Sequence, residues 1–329
     1  MRTPAFWYQP AGALAGLLAP VGALYGLGGA LRMWRTTPHH AGVPVLCVGN
    51  LVAGGAGKTP VAVSILQALR ARGVAAHALT RGHGGAERGP LAVDPARHGA
   101  ADVGDEALLL AGHAPTWVAR DRAAGALAAV AAGARAVVMD DGFQNPALAK
   151  DLSLLVVDGA TGFGNGRLVP AGPLREPVAR GLARADAVVV MGEDRAGVAA
   201  RVAPRPVLRA RVEAEDGSLA GRRVLAFAGI GRPEKFFATL RALGAEVAEA
   251  HAFADHHPYR EDEVRRLLDR AAALAAEPVT TAKDAFRLPA AQRDRVRVLP
   301  VRAVWDDPAA LDALLDRLVA KGGRCGEAA

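Results

Sequence analysis

Three glycines, a lysine and a threonine stand close together early in the chain, as Gly54, Gly55, Gly57, Lys58 and Thr59. Glycine leaves the backbone free to turn successive N–H groups toward an anion. A lysine at this spacing reaches the β- and γ-phosphates of a nucleotide, and the hydroxyl that follows is a ligand for Mg²⁺. The segment, with Ala56 inside it, is therefore predicted to bind a nucleoside triphosphate.

This segment differs from the commonest phosphate-binding loop, because Val52 stands where that pattern has a glycine. The form GGxGKT is closer to the variant loops of nucleotidases and partition ATPases, although those carry a lysine where this chain has Ala53. An ordinary glycine-rich turn is the alternative interpretation. It would leave Lys58 unexplained, in a chain with only five lysines against thirty-five arginines.

Two carboxylates, Asp140 and Asp141, follow an apolar run at residues 136–139. Such a run is typical of a buried strand, and an aspartate at its tip beside a phosphate loop offers the hard oxygen ligands that Mg²⁺ prefers. Adjacent carboxylates repel each other, so a cation or a basic partner is expected close by. A plain Asp-Asp-Gly turn is the alternative.

Other candidate residues have equally simple structural explanations. Asp105 and Glu106 begin an apolar helix, where acidic residues commonly cap the first turn. His256 follows Asp255, which could itself cap a helix, and the histidine could be an ordinary surface residue. The residues themselves leave both interpretations open.

Arginines also fall where strands are predicted to end. Arg81 follows the run at 75–80, Arg122 follows the run at 116–119, and Arg175 stands beside Glu176 in a proline-rich loop. Ligands of open parallel sheets bind outside the carboxyl ends of the strands, which favours a binding role. A solvated loop is the equal alternative for Arg81.

Predicted strands and helices alternate along the chain in the order that positions these residues together. Apolar runs at 43–49, 75–80, 116–119, 136–139, 152–158 and 187–191 predict a parallel sheet flanked by helices, resembling that of P-loop NTPases. From residue 206 a second, smaller α/β domain is predicted, joined by a short hairpin-like β linker at 207–212 and 222–228. The predicted division is 1–35, 36–205 and 206–329.

The composition favours a large α/β protein. The chain has 329 residues, of which 51% are hydrophobic, with a net charge of +7. The basic charge gives weak support for an acidic lipid surface or a phosphorylated substrate, but only 5% of residues are aromatic, so no nucleic-acid partner is expected. Two cysteines form neither a zinc spacing nor a disulfide framework, which favours a reducing cytoplasm.

The N-terminal stretch from residue 3 to residue 31 has no charged residue. It could be a membrane span, a signal peptide, a helix within one leaflet, or an apolar helix packed on the protein itself. Pro20 weakens a straight spanning helix, and Arg32 and Arg35 follow the apolar run rather than precede it. We expect a membrane-associated helix with its basic end in the cytoplasm.

Taken in order, the motifs resemble the tetraacyldisaccharide 4'-kinase family, the lipid A 4'-kinases of Gram-negative bacteria. The resemblance covers an aromatic and apolar N-terminus followed by VGNLVAGGAGKTP, LTRGHGG, VGDEALLLA, MDDGFQN, GFGNGRLVPAGPLREP, FAGIGRPEKFF, FADHHPY and TAKDAFR. Ala56 stands where the family usually has threonine, and His83 where tyrosine is usual. The resemblance implies transfer of the ATP γ-phosphate to the 4'-hydroxyl of tetraacyldisaccharide 1-phosphate, which forms lipid IVA at the cytoplasmic face of the inner membrane.

The same resemblance implies roles for the candidate residues. Asp105 would be the base for the sugar hydroxyl, supported by His256. The triphosphate and Mg²⁺ would be held by Lys58, Thr59, Asp140 and Asp141. Arg81, Arg122 and Arg175 would bind substrate phosphate, and Glu176 would belong to the metal environment. No obligate protein partner is evident, and closure of the two domains is expected to assemble the site.

Two other classes of protein remain as alternatives. A membrane-linked regulatory or partition-type ATPase would hydrolyse ATP without phosphorylating a lipid, and Ala53 argues against it because that class carries a lysine there. A nucleotide-binding scaffold without catalysis is disfavoured by the set of carboxylates.

Overall fold

A mostly parallel sheet of nine strands forms the centre of the larger part of the fold. The computed structural model describes residues 4–215 and 217–326. The strand order is β13-β8-β7-β6-β1-β5-β2-β4-β3, and only the β3–β4 and β8–β13 pairs are antiparallel. The strands are β1 Val45–Gly49, β2 Ala76–Thr80, β3 Leu91–Ala92, β4 Thr116–Val118, β5 Ala136–Asp140, β6 Leu152–Asp158, β7 Ala187–Met191, β8 Val207–Ala214 and β13 Val301–Trp305.

Helices cover both faces of this sheet, which is why its central strands are apolar throughout. One face packs against α2, α4 and α12, and the other packs against α5, α6 and α7. The fold class predicted from the sequence is confirmed for this sheet and its flanking helices. The helices of this part are α1 Ala13–Arg35, α2 Lys58–Ala71, α3 Ala100–Val103, α4 Asp105–Ala111, α5 Arg122–Ala131, α6 Val178–Arg184, α7 Val198–Val202 and α12 Pro308–Gly326.

A second sheet of four parallel strands has its own two apolar layers, in the order β10-β9-β11-β12. Its strands are β9 Arg223–Ala228, β10 Glu246–Ala252, β11 Glu277–Thr281 and β12 Arg297–Leu299. Helix α8 packs on one face and α9 on the other. Its helices are α8 Pro233–Ala242, α9 Glu261–Ala273, α10 Ala282–Ala285 and α11 Ala290–Arg293.

The β linker between the two sheets differs from the predicted hairpin. Strand β8 pairs with β7 and with the returning strand β13, while β9 belongs to the second sheet. Helix α12, which follows β13, packs on the nine-stranded sheet. Residues 206–329 therefore contribute to both sheets. Alternation along residues 207–212 predicted a strand correctly, but a period of two carries no information about which strand is its partner.

Helix α1 is long and apolar enough to cross a membrane by length and composition, although buried core helices and signal sequences share those features. Most of it is exposed: Leu17 is 76% accessible and Trp34 is 80% accessible. It contacts the protein at Gly22, where an added Cβ would lie 3.0 Å from the carbonyl oxygen of Leu168. The preceding Trp7 donates from Nε1 to the carbonyl oxygen of Pro170.

The carboxyl ends of three adjacent strands meet at one edge of the large sheet. Strand β1 lies between β5 and β6, which end at Asp140 and Asp158. The chain leaving β1 therefore enters a position with an acidic strand tip on each side. This is the edge at which the sequence predicted a binding site.

Gly49 tests how tightly this edge is packed. A Cβ there would lie 2.4 Å from Cβ of Phe143, so Gly49→Ala is expected to lower the free energy of unfolding by about 1–3 kcal/mol. The measurement is denaturant-induced unfolding. Gly28→Ala, whose added methyl group meets no heavy atom within 4 Å, is the control. Equal stability of Gly49→Ala and wild type would contradict the packing described.

Candidate active site

The predicted phosphate loop connects β1 to α2, and α2 begins at Lys58. Gly57 caps this helix at φ +86° and Gly54 has φ +128°, both in the region that favours glycine. Asn50, which is fully buried, donates from Nδ2 to the carbonyl oxygen of Gly54 at 3.2 Å. The loop therefore lies at the positive end of a 14-residue helix, an arrangement suited to an anion.

Thr59 and Asp140 form the pair expected of a Mg²⁺ site. The hydroxyl of Thr59 donates to Oδ2 of Asp140 at 3.2 Å, and both side chains are buried. The other carboxylate oxygen, Oδ1 of Asp140, is buried without a hydrogen-bond partner among the described residues. An unpartnered carboxylate oxygen next to a hydroxyl and a phosphate loop fits Mg²⁺, which usually takes only one or two carboxylates and relies on substrate phosphates for the rest.

The environment of Asp140 also fits a cation. Burial, together with the nearby charge of Glu106, raises the pKa of Asp140 to about 7. A bound cation would favour the ionised carboxylate. Within the described ranges, no three His, Cys, Asp or Glu side chains are arranged as a metal cage of their own. A metal here would therefore depend on the nucleotide for further ligands.

Asp141 anchors two cations beside the loop. Its Oδ1 accepts from Nη1 of Arg175 at 2.8 Å and lies 3.6 Å from Nζ of Lys58. Burial alone would raise the pKa of Asp141, but Lys58 and Arg175 outweigh it and hold the pKa below its ordinary value. Asp141 thus keeps Lys58 and Arg175 together at the mouth of the phosphate loop.

Asp105 and His256 come from different sheets and meet directly. Nδ1 of His256 lies 3.1 Å from Oδ1 and 3.0 Å from Oδ2 of Asp105, which is almost fully buried. His256 has φ +57°, a conformation that non-glycine residues adopt mainly where the surroundings hold them. The two residues that the sequence assigned to catalysis from separate domains are therefore in contact in this structure.

Each residue of the Asp105–His256 pair stabilises the charged form of the other. The hydrogen bond that the Asp105 carboxylate accepts from Nδ1 of His256 raises the pKa of His256. Burial alone would raise the pKa of Asp105, but its hydrogen bond with His256 and the charge of Lys283 bring it below the ordinary value. Asp105 is therefore a carboxylate at neutral pH, and its oxygens can accept a hydrogen bond from a hydroxyl group.

Glu106 and Lys283 are functional candidates that the sequence analysis missed. Nζ of Lys283 donates to Oε1 of Glu106 at 2.6 Å, and this pairing lowers the pKa of Glu106 to about 2, with Lys58 contributing. Glu106 is thus close enough to Lys58 and Asp140 to shift charges at the phosphate loop, while its chain neighbour Asp105 faces His256. Glu106 lies in the segment VGDE and Lys283 in TAKDAFR, but nothing in the spacing of these segments indicated that the two side chains meet.

The remaining arginines form a second basic group. Arg122 is buried and donates from Nη1 to the carbonyl oxygen of Ala119, while its Nε has no hydrogen-bond partner among the described residues. Burial, reinforced by the charge of the exposed Arg81, lowers the pKa of Arg122 to about 10. An anion between Arg81 and Arg122 would relieve this repulsion.

Glu176 lies outside the Thr59–Asp140 pair. Both of its oxygens accept from Nη2 of Arg184 at 2.8 Å, and Oε1 also accepts from Gln144 at 3.0 Å. Gln144 in turn donates to the carbonyl oxygen of Asn50 at the start of the loop. The structure therefore shows Glu176 in an ion pair that supports the loop, and its role in the metal environment stays a prediction.

The second sheet also contacts the phosphate loop. A Cβ at Gly231 would lie 3.4 Å from the backbone nitrogen of Gly55. Asp158, at the tip of β6, accepts from Nη1 of Arg232 at 3.0 Å and also pairs with Lys235. Nη2 of Arg232 donates to the hydroxyl of Thr161 at 2.6 Å. The two sheets are thus held together over the loop by an ion-paired contact.

Comparison with known proteins identifies the family. The model of the tetraacyldisaccharide-1-P 4'-kinase family matches residues 14–320. The chain belongs to the tetraacyldisaccharide 4'-kinase family. The resemblance inferred from the motifs is confirmed.

Individual relatives agree over their whole lengths. The tetraacyldisaccharide 4'-kinase of Rhodospirillum centenum is 60% identical, with 100% of each chain covered. That of Rhodospirillum rubrum is 58% identical, covering 97% of this chain and 98% of the relative. A solved structure from Aquifex aeolicus, described as the "apo" form of LpxK in complex with ATP, has a TM-score of 0.73 and 26% identity. It covers 93% of this chain and 99% of that one.

The Asp105–His256 contact predicts how stability depends on pH. Because the pKa of His256 is raised, the folded protein binds this proton more tightly than the unfolded chain, whose histidine titrates near about 6.5. The contribution is fully present below that value and is lost as pH rises through the folded pKa. Chemical unfolding across this range should show that the advantage of wild type over His256→Asn shrinks as pH rises. An advantage independent of pH would contradict this, and the exposed His40→Asn is the control.

Proposed function

We propose that this kinase transfers the γ-phosphate of ATP to the 4'-hydroxyl of tetraacyldisaccharide 1-phosphate, an acylated glucosamine disaccharide, forming lipid IVA in lipid A biosynthesis. The observation that carries the proposal is the position of the Asp105–His256 pair. Asp105 adjoins Glu106, whose carboxylate shares its surroundings with Lys58 and Asp140. The proposed base and the phosphate loop are therefore linked through Glu106, and transfer to an alcohol requires such a base near the phosphates.

Each group at the loop has a role in holding the triphosphate. The backbone N–H groups of residues 54–59 and the start of α2 bind its phosphates, and Lys58 adds a compact positive charge. Thr59 and Asp140 would hold Mg²⁺, which neutralises charge on the β- and γ-phosphates when bound. Arg175, held by Asp141 at the mouth of the loop, would stabilise the negative charge on the transferred phosphate group. Catalysis here is mainly positioning and charge stabilisation.

Asp105 acts on the acceptor. Its carboxylate accepts a hydrogen bond from the 4'-hydroxyl and takes the proton as that oxygen attacks the γ-phosphorus, while the bond from the γ-phosphorus to the bridging oxygen breaks and ADP leaves. His256 keeps that carboxylate in place through Nδ1. Arg81 and Arg122 form the second basic group, which we assign to phosphate of the substrate.

A regulatory ATPase is less consistent with this site. Such a protein would need no base for an alcohol, whereas here two sheets are joined at Asp105 and His256. Ala53 also lacks the lysine of the partition class.

We further propose that the enzyme works at the cytoplasmic face of the inner membrane as a peripheral or monotopic protein. Exposed apolar side chains form a hydrophobic surface along α1. Arg32 and Arg35 lie in the last turn of this helix, as expected of a helix at a membrane surface. Tyr8, just before this helix, places its hydroxyl 3.8 Å from a Cβ built at Gly54. The segment that leads into the apolar helix therefore lies beside the phosphate loop, where an acylated substrate must present its sugar.

The direct test supplies labelled ATP, Mg²⁺ and the acylated disaccharide 1-phosphate to the purified full chain. We expect label in the lipid, at the 4' position. Label released only as free phosphate would overturn the proposal in favour of an ATPase. Omitting Mg²⁺ should abolish transfer.

Lys58 provides the first variant for this assay. Lys58→Ala removes the charge closest to the loop and is expected to lower kcat at least about 10²-fold, as loss of a preorganised charge does in other enzymes. Lys58→Arg keeps the charge but not its compact shape and should recover little activity. Arg266→Gln, which breaks an exposed ion pair with Asp262, is the control. Near-normal turnover by Lys58→Ala would contradict the assignment of the loop.

Asp158 tests whether closure of the sheets matters. Asp158→Asn leaves Arg232 and Lys235 without their shared carboxylate, so the two sheets should separate more easily. If the free energy of closure becomes less favourable by about 1.4 kcal/mol, kcat should fall about tenfold. Small-angle scattering with and without ATP reports the closure directly. Glu193→Gln, which removes an exposed pair with Arg195, is the control. Wild-type kcat and unchanged scattering in Asp158→Asn would show that this contact does not hold the closed state.

A further inference from the structure

The guanidinium group of Arg287 contacts residues on both sides of the Asp105–His256 pair. Arg287, whose side chain is only 7% accessible, donates from Nη1 to the carbonyl oxygen of His257 and from Nη2 to that of Gly229, each at 2.9 Å. Its Nε lies 3.1 Å from Oδ2 of Asp105. The single side chain therefore touches the His256 loop, the end of β9, and the first residue of α4 from the other sheet.

Two of these contacts act on the backbone that carries His256. The carbonyl oxygen of Gly229 also accepts the N–H of His256 at 3.0 Å. Arg287 thus holds Gly229 on one side of His256 and His257 on the other. This restraint accounts for the positive φ of His256, which a free loop would not maintain.

The buried carboxylate of Asp284 fixes the position of Arg287. Nη2 also donates to Oδ1 of Asp284 at 2.8 Å, and Asp284 has no exposed surface. The same carboxylate accepts from the hydroxyl of Tyr259 at 2.8 Å and from the N–H of Gly229 at 2.9 Å. These bonds fix the guanidinium plane at ion-pair distance from Asp105, although Nε makes no hydrogen bond among the described residues. A lysine ammonium has no planar fork and could not make these contacts together.

We propose that Arg287 is a positioning residue, which fixes the loop bearing His256 and aims the Asp105 carboxylate at the acceptor hydroxyl once the two sheets come together. This inference rests on the proposed function for the identity of the acceptor. Arg287 does not contact the reacting atoms and acts through Asp105 and His256. The residue stands in the TAKDAFR segment, for which the motifs implied no role.

The charges around Asp105 are consistent with this. Burial alone would raise the pKa of Asp105, and the groups that lower it are His256, Lys283 and Arg287. Glu106, on the same helix, is neutralised by Lys283. Without Arg287, Asp105 loses one of its three cationic neighbours, and protonation of the base should begin at higher pH.

The experiment compares Arg287→Gln and Arg287→Lys with wild type in the full chain, using Arg266→Gln as the matched loss of an exposed arginine. Arg287→Gln should lower kcat about 10²-fold, the usual contribution of a well-placed general base, with KM for ATP within about threefold of wild type. The acid limb of its pH profile should move to higher pH. Arg287→Lys keeps a cation near Asp105, so its acid limb should stay near that of wild type while kcat remains reduced.

A purely structural role predicts a different result. It would lower the thermal midpoint and reduce activity in proportion to the folded fraction, with the acid limb unmoved in Arg287→Gln; that result would overturn the proposal. If Arg287→Gln does not fold, Arg287→Lys decides, because wild-type kcat in a folded Arg287→Lys protein would equally overturn it.

A readout independent of turnover separates this inference from the proposed function. The ¹³C resonance of the Asp105 carboxyl group, assigned with Asp105→Asn, reports its titration without substrate. A titration raised in Arg287→Gln supports the positioning role even if wild type phosphorylates no lipid, in which case only the proposed function fails. An unchanged titration beside normal lipid phosphorylation by wild type overturns the positioning role alone.

Discussion

The contact between Nδ1 of His256 and the Asp105 carboxylate joins the two sheets, and the site depends on it. Asp105 begins a helix of the large sheet, while His256 stands on a loop of the small one. A buried carboxylate is costly unless it is paired, so Asp105 requires partners from the second sheet. The same requirement that stabilises the contact between the sheets therefore fixes the carboxylate that we propose as the base.

Charge neutralisation organises the rest of the cleft. Asp141 holds Lys58 and Arg175, Glu106 holds Lys283, and Asp158 holds Arg232 with Lys235. The exception is Asp140, which has one buried oxygen without a partner among the described residues. This oxygen is the one that we propose as a ligand for Mg²⁺.

Much of this arrangement followed from local pattern. The strand, glycine loop and helix around Lys58 were predicted in the right order, and the apolar run ending at Asp140 put that carboxylate at the correct edge of the sheet. Such predictions succeed because a buried parallel strand is apolar throughout and its carboxyl end meets its neighbours at one edge. The hairpin-like pairing predicted for the β linker was wrong, because spacing does not encode which strand is the partner.

The sequence by itself determined the phosphate loop, the alternation of strands and helices, and, through nine ordered motifs, the family. Only the tertiary structure decided which side chains meet: Asp105 with His256, Glu106 with Lys283, Glu176 with Arg184, and Arg287 with both halves of the site. The physical reason is how far apart in the sequence the interacting residues lie. Backbone conformation is set mainly by neighbours in the chain, whereas the pairs of Asp105 and Glu106 join residues up to 182 positions apart and form only when the two sheets pack together. Glu176 and Arg184 are only eight residues apart, but their contact depends on how the loop between them folds.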